Sequence, residues 1–211
     1  MPGFTLECLT VGPLQMNAWL VLDRERGEAA LVDPGDDPGR LLARVDASGC
    51  RLRYLLATHG HFDHVGAAAA VQDHHDLPLL VHPEDVPLIQ AMPQQQAMFG
   101  LPTSTVPRLE PALQDGLALP LGDGELRVTA IPGHSRGQVM FAWNGHALVG
   151  DTIFAGSVGR TDLPGGDFDI LARSIRAHIY TLPEDTELHP GHGPDTTVGR
   201  ERAGNPFVPD G

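Results

Sequence analysis

Thr58-His59-Gly60-His61-Phe62-Asp63-His64 places three histidines and an aspartate within seven residues, directly after the apolar run Tyr54-Leu55-Leu56-Ala57. The apolar run reads as a buried strand and the polar stretch as the turn at its end. Groups of this kind crowded on one short turn repel protons and stay unpaired unless a cation holds them together. A divalent metal is the simplest such cation, because neutral imidazole and carboxylate are standard ligands for zinc and its neighbours. The bland alternative is a solvated histidine-rich turn, and the HxHxDH spacing behind a strand argues against it.

Three further segments repeat this local form, a strand end followed by a glycine-rich turn bearing a ligand. They are Ile131-Pro132-Gly133-His134-Ser135, Leu148-Val149-Gly150-Asp151-Thr152 and Leu188-His189-Pro190-Gly191-His192-Gly193. Each strand end can deliver one side chain to a common rim, with glycine allowing tight backbone paths. His59, His61, Asp63, His64, His134, Asp151 and His192 then make seven candidate ligands. Seven is too many for one tetrahedral ion and suits two ions that share a carboxylate and a hydroxide. Thr58 and Asp33 fit the role of outer groups that orient ligating histidines, or of plain turn residues.

The rest of the pattern alternates strands and helices. Residues 6–11, 18–22 and 29–32 read as strands, 38–47 as an amphipathic helix stopped by Gly49, and 53–57 as the strand before the histidine turn. An Ala-rich helix is expected over 66–75 and a short buried strand over 79–81. Residues 83–116, rich in Pro and Gly, read as short helices and a loop over the core, in which 92–99 could shape a substrate mouth. Strands follow at 117–121, 126–131, 139–143 and 147–149, then a helix at 168–179 and a last strand at 187–189. Two strand-rich blocks with attached helices predict an α/β fold of two sheets packed face to face, helices outside.

Bulk properties narrow the function. The 211 residues allow one sizeable core and do not demand two domains. No apolar run is long enough to span a membrane, and the start lacks a secretory pattern, so the cytoplasm is the expected compartment. A net charge of −13 argues against a nucleic-acid partner and hence against a nuclease. All 14 basic residues are arginine, which excludes Schiff-base chemistry on a lysine. Cys8 and Cys50 stand apart in plain contexts and read as small hydrophobes. His74, His75, His82, His146, His178 and His189 fall outside the ligand pattern and are expected to be exposed or packed.

HxHxDH followed by PGHS, GD and PGHG resembles the metallo-β-lactamase superfamily over essentially the whole chain. The resemblance implies an αββα sandwich of two mixed β-sheets, as one domain over 1–211, with a dinuclear site at one edge. It implies one metal on His59, His61 and His134, the other on Asp63, His64 and His192, and Asp151 bridging them. β-Lactamases commonly have cysteine at the Asp151 position, which points this chain towards thioester, phosphoester or redox members. Val45-Asp46-Ala47-Ser48-Gly49, Met98-Phe99-Gly100, Gly159-Arg160-Thr161-Asp162-Leu163-Pro164-Gly165-Gly166-Asp167 and Pro190-Gly191-His192-Gly193-Pro194 resemble the short, YcbL-like type II glyoxalases of bacteria. These are similar to hydroxyacylglutathione hydrolase but lack its C-terminal helical domain, and here 19 residues follow His192.

The expectation is therefore a metal-dependent thioester hydrolase that cleaves S-D-lactoylglutathione or a related hydroxyacylglutathione, as in methylglyoxal detoxification. A hydroxide shared by two divalent ions, zinc first with iron or manganese as alternatives, would attack the thioester carbonyl. Asp63 would both bind metal and orient the nucleophile. Arg160 would grip a substrate carboxylate, or instead pair with Asp162 or Asp167. The alternative is a glutathione persulfide dioxygenase with mononuclear iron, whose relatives share the GRTD-like string.

Overall fold

The computed structural model describes residues 3–210. In the first sheet β1 (Thr5–Val11), β2 (Met16–Asp23) and β3 (Glu28–Val32) run antiparallel. β4 (Arg51–Leu56), β5 (Leu79–Leu80) and β6 (Leu109–Glu110) extend it in parallel. The second sheet begins with β7 (Ala118–Leu121), β8 (Gly124–Ala130), β9 (Val139–Trp143) and β10 (His146–Gly150), all antiparallel. A small separate hairpin holds β11 (Ile153–Phe154) and β12 (Ser157–Val158). β13 (Glu187–Pro190) then pairs parallel to β10 and antiparallel to β14 (Thr196–Thr197), which closes the second sheet at its edge.

Strand alternation divides the core into layers. On β2, Trp19 and Val21 face the second sheet and pack with Val128, Phe141 and Leu148. Ala18, Leu20 and Leu22 face the other way, against Leu41 and Val45 of helix α1 (Pro38–Ser48). On the far side, Met140, Ala147 and Leu188 pack under Leu171 and Ile175. The order is helix, sheet, sheet, helix, the expected αββα sandwich of two mixed sheets.

The differences from the sequence reading are local. The expected helix over 66–75 is α3 (Ala68–His75), starting two residues later, and a separate short helix α2 (Phe62–Val65) precedes it. The main chain of Gly35 lies so close that a Cβ on Gly66 would sit 2.7 Å from its carbonyl oxygen. The second half of the histidine motif is thus already a helical turn, with His64 N donating to His61 O. Residues 83–116 hold a 3₁₀ turn at Pro83–Asp85, helices α4 (Val86–Gln90) and α5 (Met92–Met98), and strand β6, which the polar composition hid. The helix over 168–179 starts as α6 (Phe168–Ser174) and widens to a π turn, closed by Tyr180 N to Ile175 O. The short β11, β12 and β14 and the final helix α7 (Val198–Gly204) were not expected. No helix among the described residues is long and apolar enough to cross a membrane.

Candidate metal centre

Five chain segments converge at one edge of the sandwich. Asp33 follows β3, β4 runs into the histidine turn, and His134, Asp151 and His192 follow β8, β10 and β13. Because β8, β10 and β13 point the same way in their sheet, their C-terminal ends share that edge. Asn17 on β2 clasps the last loop, its side-chain amide donating to Pro190 O and Gly193 O and its backbone N–H to Gly191 O. Gly191 itself is forced, since a Cβ there would lie 2.3 Å from Asp151 Oδ1 and 2.5 Å from His64 Cε1.

All seven sequence-derived candidates meet here, in two groups around Asp151. His59 Nε2, His61 Nδ1 and His134 Nε2 converge, with His134 Nε2 at 3.2 Å from the first and 2.9 Å from the second. Asp63, His64 and His192 form the other group, with His192 Nε2 at 3.2 Å from Asp63 Oδ2. Asp151 lies between them: Oδ2 is 3.7 Å from both His134 Nε2 and His192 Nε2, and Oδ1 is 3.4 Å from His64 Nε2.

Outer hydrogen bonds fix which nitrogen of three of the rings faces inward. His134 Nδ1 donates to the Arg160 carbonyl at 2.7 Å, which leaves Nε2 as a bare lone pair. Thr58 Oγ1 donates to Asp33 Oδ2 and so can only accept from His59 Nδ1 at 3.1 Å, with the same result. His64 Nδ1 gives its proton to Asp33 Oδ2 at 2.9 Å. His64 Nε2 and Asp151 Oδ1 are then buried without a hydrogen-bond partner, aimed into the same space. They face each other at 3.4 Å, and a cation between them would satisfy both.

Charge leads to the same place. Burial, then the neighbouring His64, His134 and His61, hold the His59 imidazole well below its usual pKa. Burial and His134 take His61 down to about 3, so both rings stay neutral and ligand-ready. Burial pushes the Asp151 carboxyl up, but His64, His134 and His192 outweigh it and keep it below the ordinary carboxylate range. Asp63 behaves alike, lifted by burial and lowered further by His64 and His192. Burial acts to lower His64, yet Asp151, Asp33 and Asp63 raise it well above a normal imidazole. Three carboxylates in one buried space demand positive charge, and dications supply it.

The centre floors a cleft of about 720 Å³ whose far wall carries Leu14, Phe62, Leu88, Met98 and Phe99. The segment 92–99 therefore does shape its mouth. Arg160 lines the cleft, but its guanidinium is engaged twice by Asp162, at 2.7 and 2.8 Å. The sequence reading missed Arg136, which lines the same cleft, is exposed, and has no carboxylate partner among the described residues. Its position two residues after His134 was the available signal.

A family profile described as the metallo-β-lactamase superfamily matches residues 11–192. The chain belongs to that superfamily. Among relatives in it, the protein named hydroxyacylglutathione hydrolase GloC from Haemophilus influenzae is 36% identical, over 96% of this chain and 97% of its own. Among solved metallo-β-lactamase folds, TTHA1623 in a di-iron-bound form is 41% identical with a TM-score of 0.88, covering 96% of this chain and 100% of that one. The BLEG-1 B3 metallo-β-lactamase is 34% identical with a TM-score of 0.87, over 97% and 99% of the two chains. Superfamily membership makes this a metallo-hydrolase fold with a histidine-rich candidate metal site.

Proposed function

We propose that the chain is a two-metal thioester hydrolase of the type II glyoxalase kind, releasing glutathione and a hydroxy acid from S-D-lactoylglutathione or a related hydroxyacylglutathione. The observation that carries the reading is the single carboxylate of Asp151 set between two ligand groups, within reach of both. His59, His61 and His134 would hold one ion, Asp63, His64 and His192 the other, and Asp151 both. Zinc fits these nitrogen and oxygen donors, as do iron and manganese. Two such dications supply Lewis acidity, easing loss of a proton from water near neutral pH and stabilising negative charge on a carbonyl oxygen.

The chain's own groups do the rest. Asp63, partly open to the cleft, orients the attacking water and accepts its proton. Arg136 takes a substrate carboxylate with its free fork of donors, a role that the pairing with Asp162 denies to Arg160. Phe62 and Phe99, with ring centroids 5.3 Å apart, keep one wall of the cleft dry. A thiolate leaves readily, so no strong general acid is required. The named GloC relative supports glutathione as the thiol, and the di-iron relative supports two ions. Turnover of S-D-lactoylglutathione with an oxygen electrode in the cell tests this. Free glutathione without oxygen uptake is the expected result, whereas oxygen consumption with glutathione persulfide would establish the dioxygenase instead. Faster cleavage of a β-lactam than of the thioester would overturn the substrate.

A further inference from the structure

Asp85 closes the 3₁₀ turn at Pro83–Asp85, in a segment whose sequence reads as short helices and a loop, and it is 2% exposed. Its carboxylate collects three donors from two other loops. Oδ2 accepts from Gly60 N at 2.8 Å and Ser135 Oγ at 2.7 Å, and Oδ1 accepts from Gly137 N at 2.7 Å. The approach is tight, since a Cβ on Gly137 would lie 2.7 Å from Asp85 N and one on Gly60 3.0 Å from Asp85 O. Gly60 sits between His59 and His61, and Ser135 is the neighbour of His134. Asp85 thus pins both loops that carry the three-histidine group, and its carboxylate makes no hydrogen bond to Asp63, His64 or His192. Asp33 serves both sides instead, taking the His64 Nδ1 proton directly and reaching His59 Nδ1 through Thr58 Oγ1.

We propose that Asp85 is the positioning residue of the three-histidine half. It sets the spacing of the His59–His61 loop against the His134 loop, and with it the affinity for the ion held there, while the Asp63–His64–His192 half is held independently. Hydrogen bonds to a carboxylate are the strong kind, and three from two separate segments over-determine the geometry. This rests on the two-ion reading above but not on the substrate.

The test is titration of metal-free protein with zinc, in wild type and in Asp85→Asn, followed by competition with a chromophoric chelator. The amide keeps the volume but turns one acceptor oxygen into an NH₂ facing N–H or O–H donors. Two equivalents are expected in both proteins, one unchanged and one weakened by about 10–100-fold, the usual cost of losing an outer partner. In a His192→Ala background, which leaves the three-histidine half intact, Asp85→Asn weakens the remaining ion. In a His59→Ala background it does not. Ser135→Ala, which removes one donor from the same carboxylate, shifts the same equivalent less and serves if Asp85→Asn fails to fold. Equal weakening of both ions, or an unchanged pair, would overturn the proposal, as would a wild type that binds one ion only. A wild type that binds two ions and shows the selective loss, yet hydrolyses no thioester, would overturn the proposed function and leave Asp85 its role.

Discussion

Two histidine clusters bring their rings together in different ways, one where β4 and β8 end and the other on the parallel strands β10 and β13. At the ends of the strands, the His59, His61 and His134 rings lie with centroids 4.6–4.8 Å apart and planes 75–85° apart. Within the strands, His146 Nδ1 meets His189 Nε2 at 3.1 Å, but the centroids are 5.3 Å apart and the planes differ by 19°. At similar nitrogen separations, the wider centroid spacing means that the second pair of rings points directly at one another. One ring's N–H consumes the other's lone pair. In the first cluster the ring axes bend towards a shared point, where a third atom can sit.

The partners complete the contrast. Asp195 Oδ2 lies 3.1 Å from His189 Nδ1, an ion-pair distance without hydrogen-bond geometry, and the two imidazoles pack between Trp19 and Trp143. Glu187 Oε2, 3.5 Å from His146 Nδ1, adds charge beside the pair. Proximity of histidines and carboxylates is common to both regions. What sets the first apart is a carboxylate, Asp151, lying between two groups of ligands.

The largest expected break falls on the outer cluster. Asp151→Ala should lower kcat by more than the roughly 100-fold that loss of an outer partner costs, with the circular dichroism spectrum unchanged. Undiminished thioester turnover by that variant would remove Asp151 from between the ions. Next comes the cleft wall. Arg136→Met should raise KM about tenfold, the equivalent of one charged hydrogen bond, with kcat preserved. Arg160→Met should change KM less, because Asp162 already occupies that guanidinium; the reverse ranking would exchange their roles. The inner cluster should respond in stability only. His189→Leu leaves Asp195 and His146 without their partner and should cost about 1–3 kcal/mol in urea denaturation, with His146→Ala costing less. Both should keep the wild-type metal content, and an ion lost with His189 would erase the distinction between the clusters.

The ligands were legible in sequence because each lies in a glycine-bearing turn after a strand end, and the αββα order followed from the blocks of strands. Asp85 was not legible. Its partners are backbone N–H groups 25 and 52 residues away and a serine hydroxyl, and none of these leaves a mark on local pattern. Strand β6 was hidden in the same region because two residues pairing with β5 make no periodicity. Arg160 was half legible. Its pairing with Asp162 was one of the two readings, but its contribution to the centre is the backbone carbonyl that orients His134, which any residue could supply. His189 read as an ordinary packed histidine, and it is buried, though beside polar partners rather than among apolar neighbours alone.

The central claim is a centre for two ions, and metal stoichiometry tests it most directly. Protein depleted of metal, reloaded with zinc and freed of excess should carry two ions per chain, and hydrolysis of S-D-lactoylglutathione should return with them. One ion per chain at full activity, or full activity with none, would contradict the account.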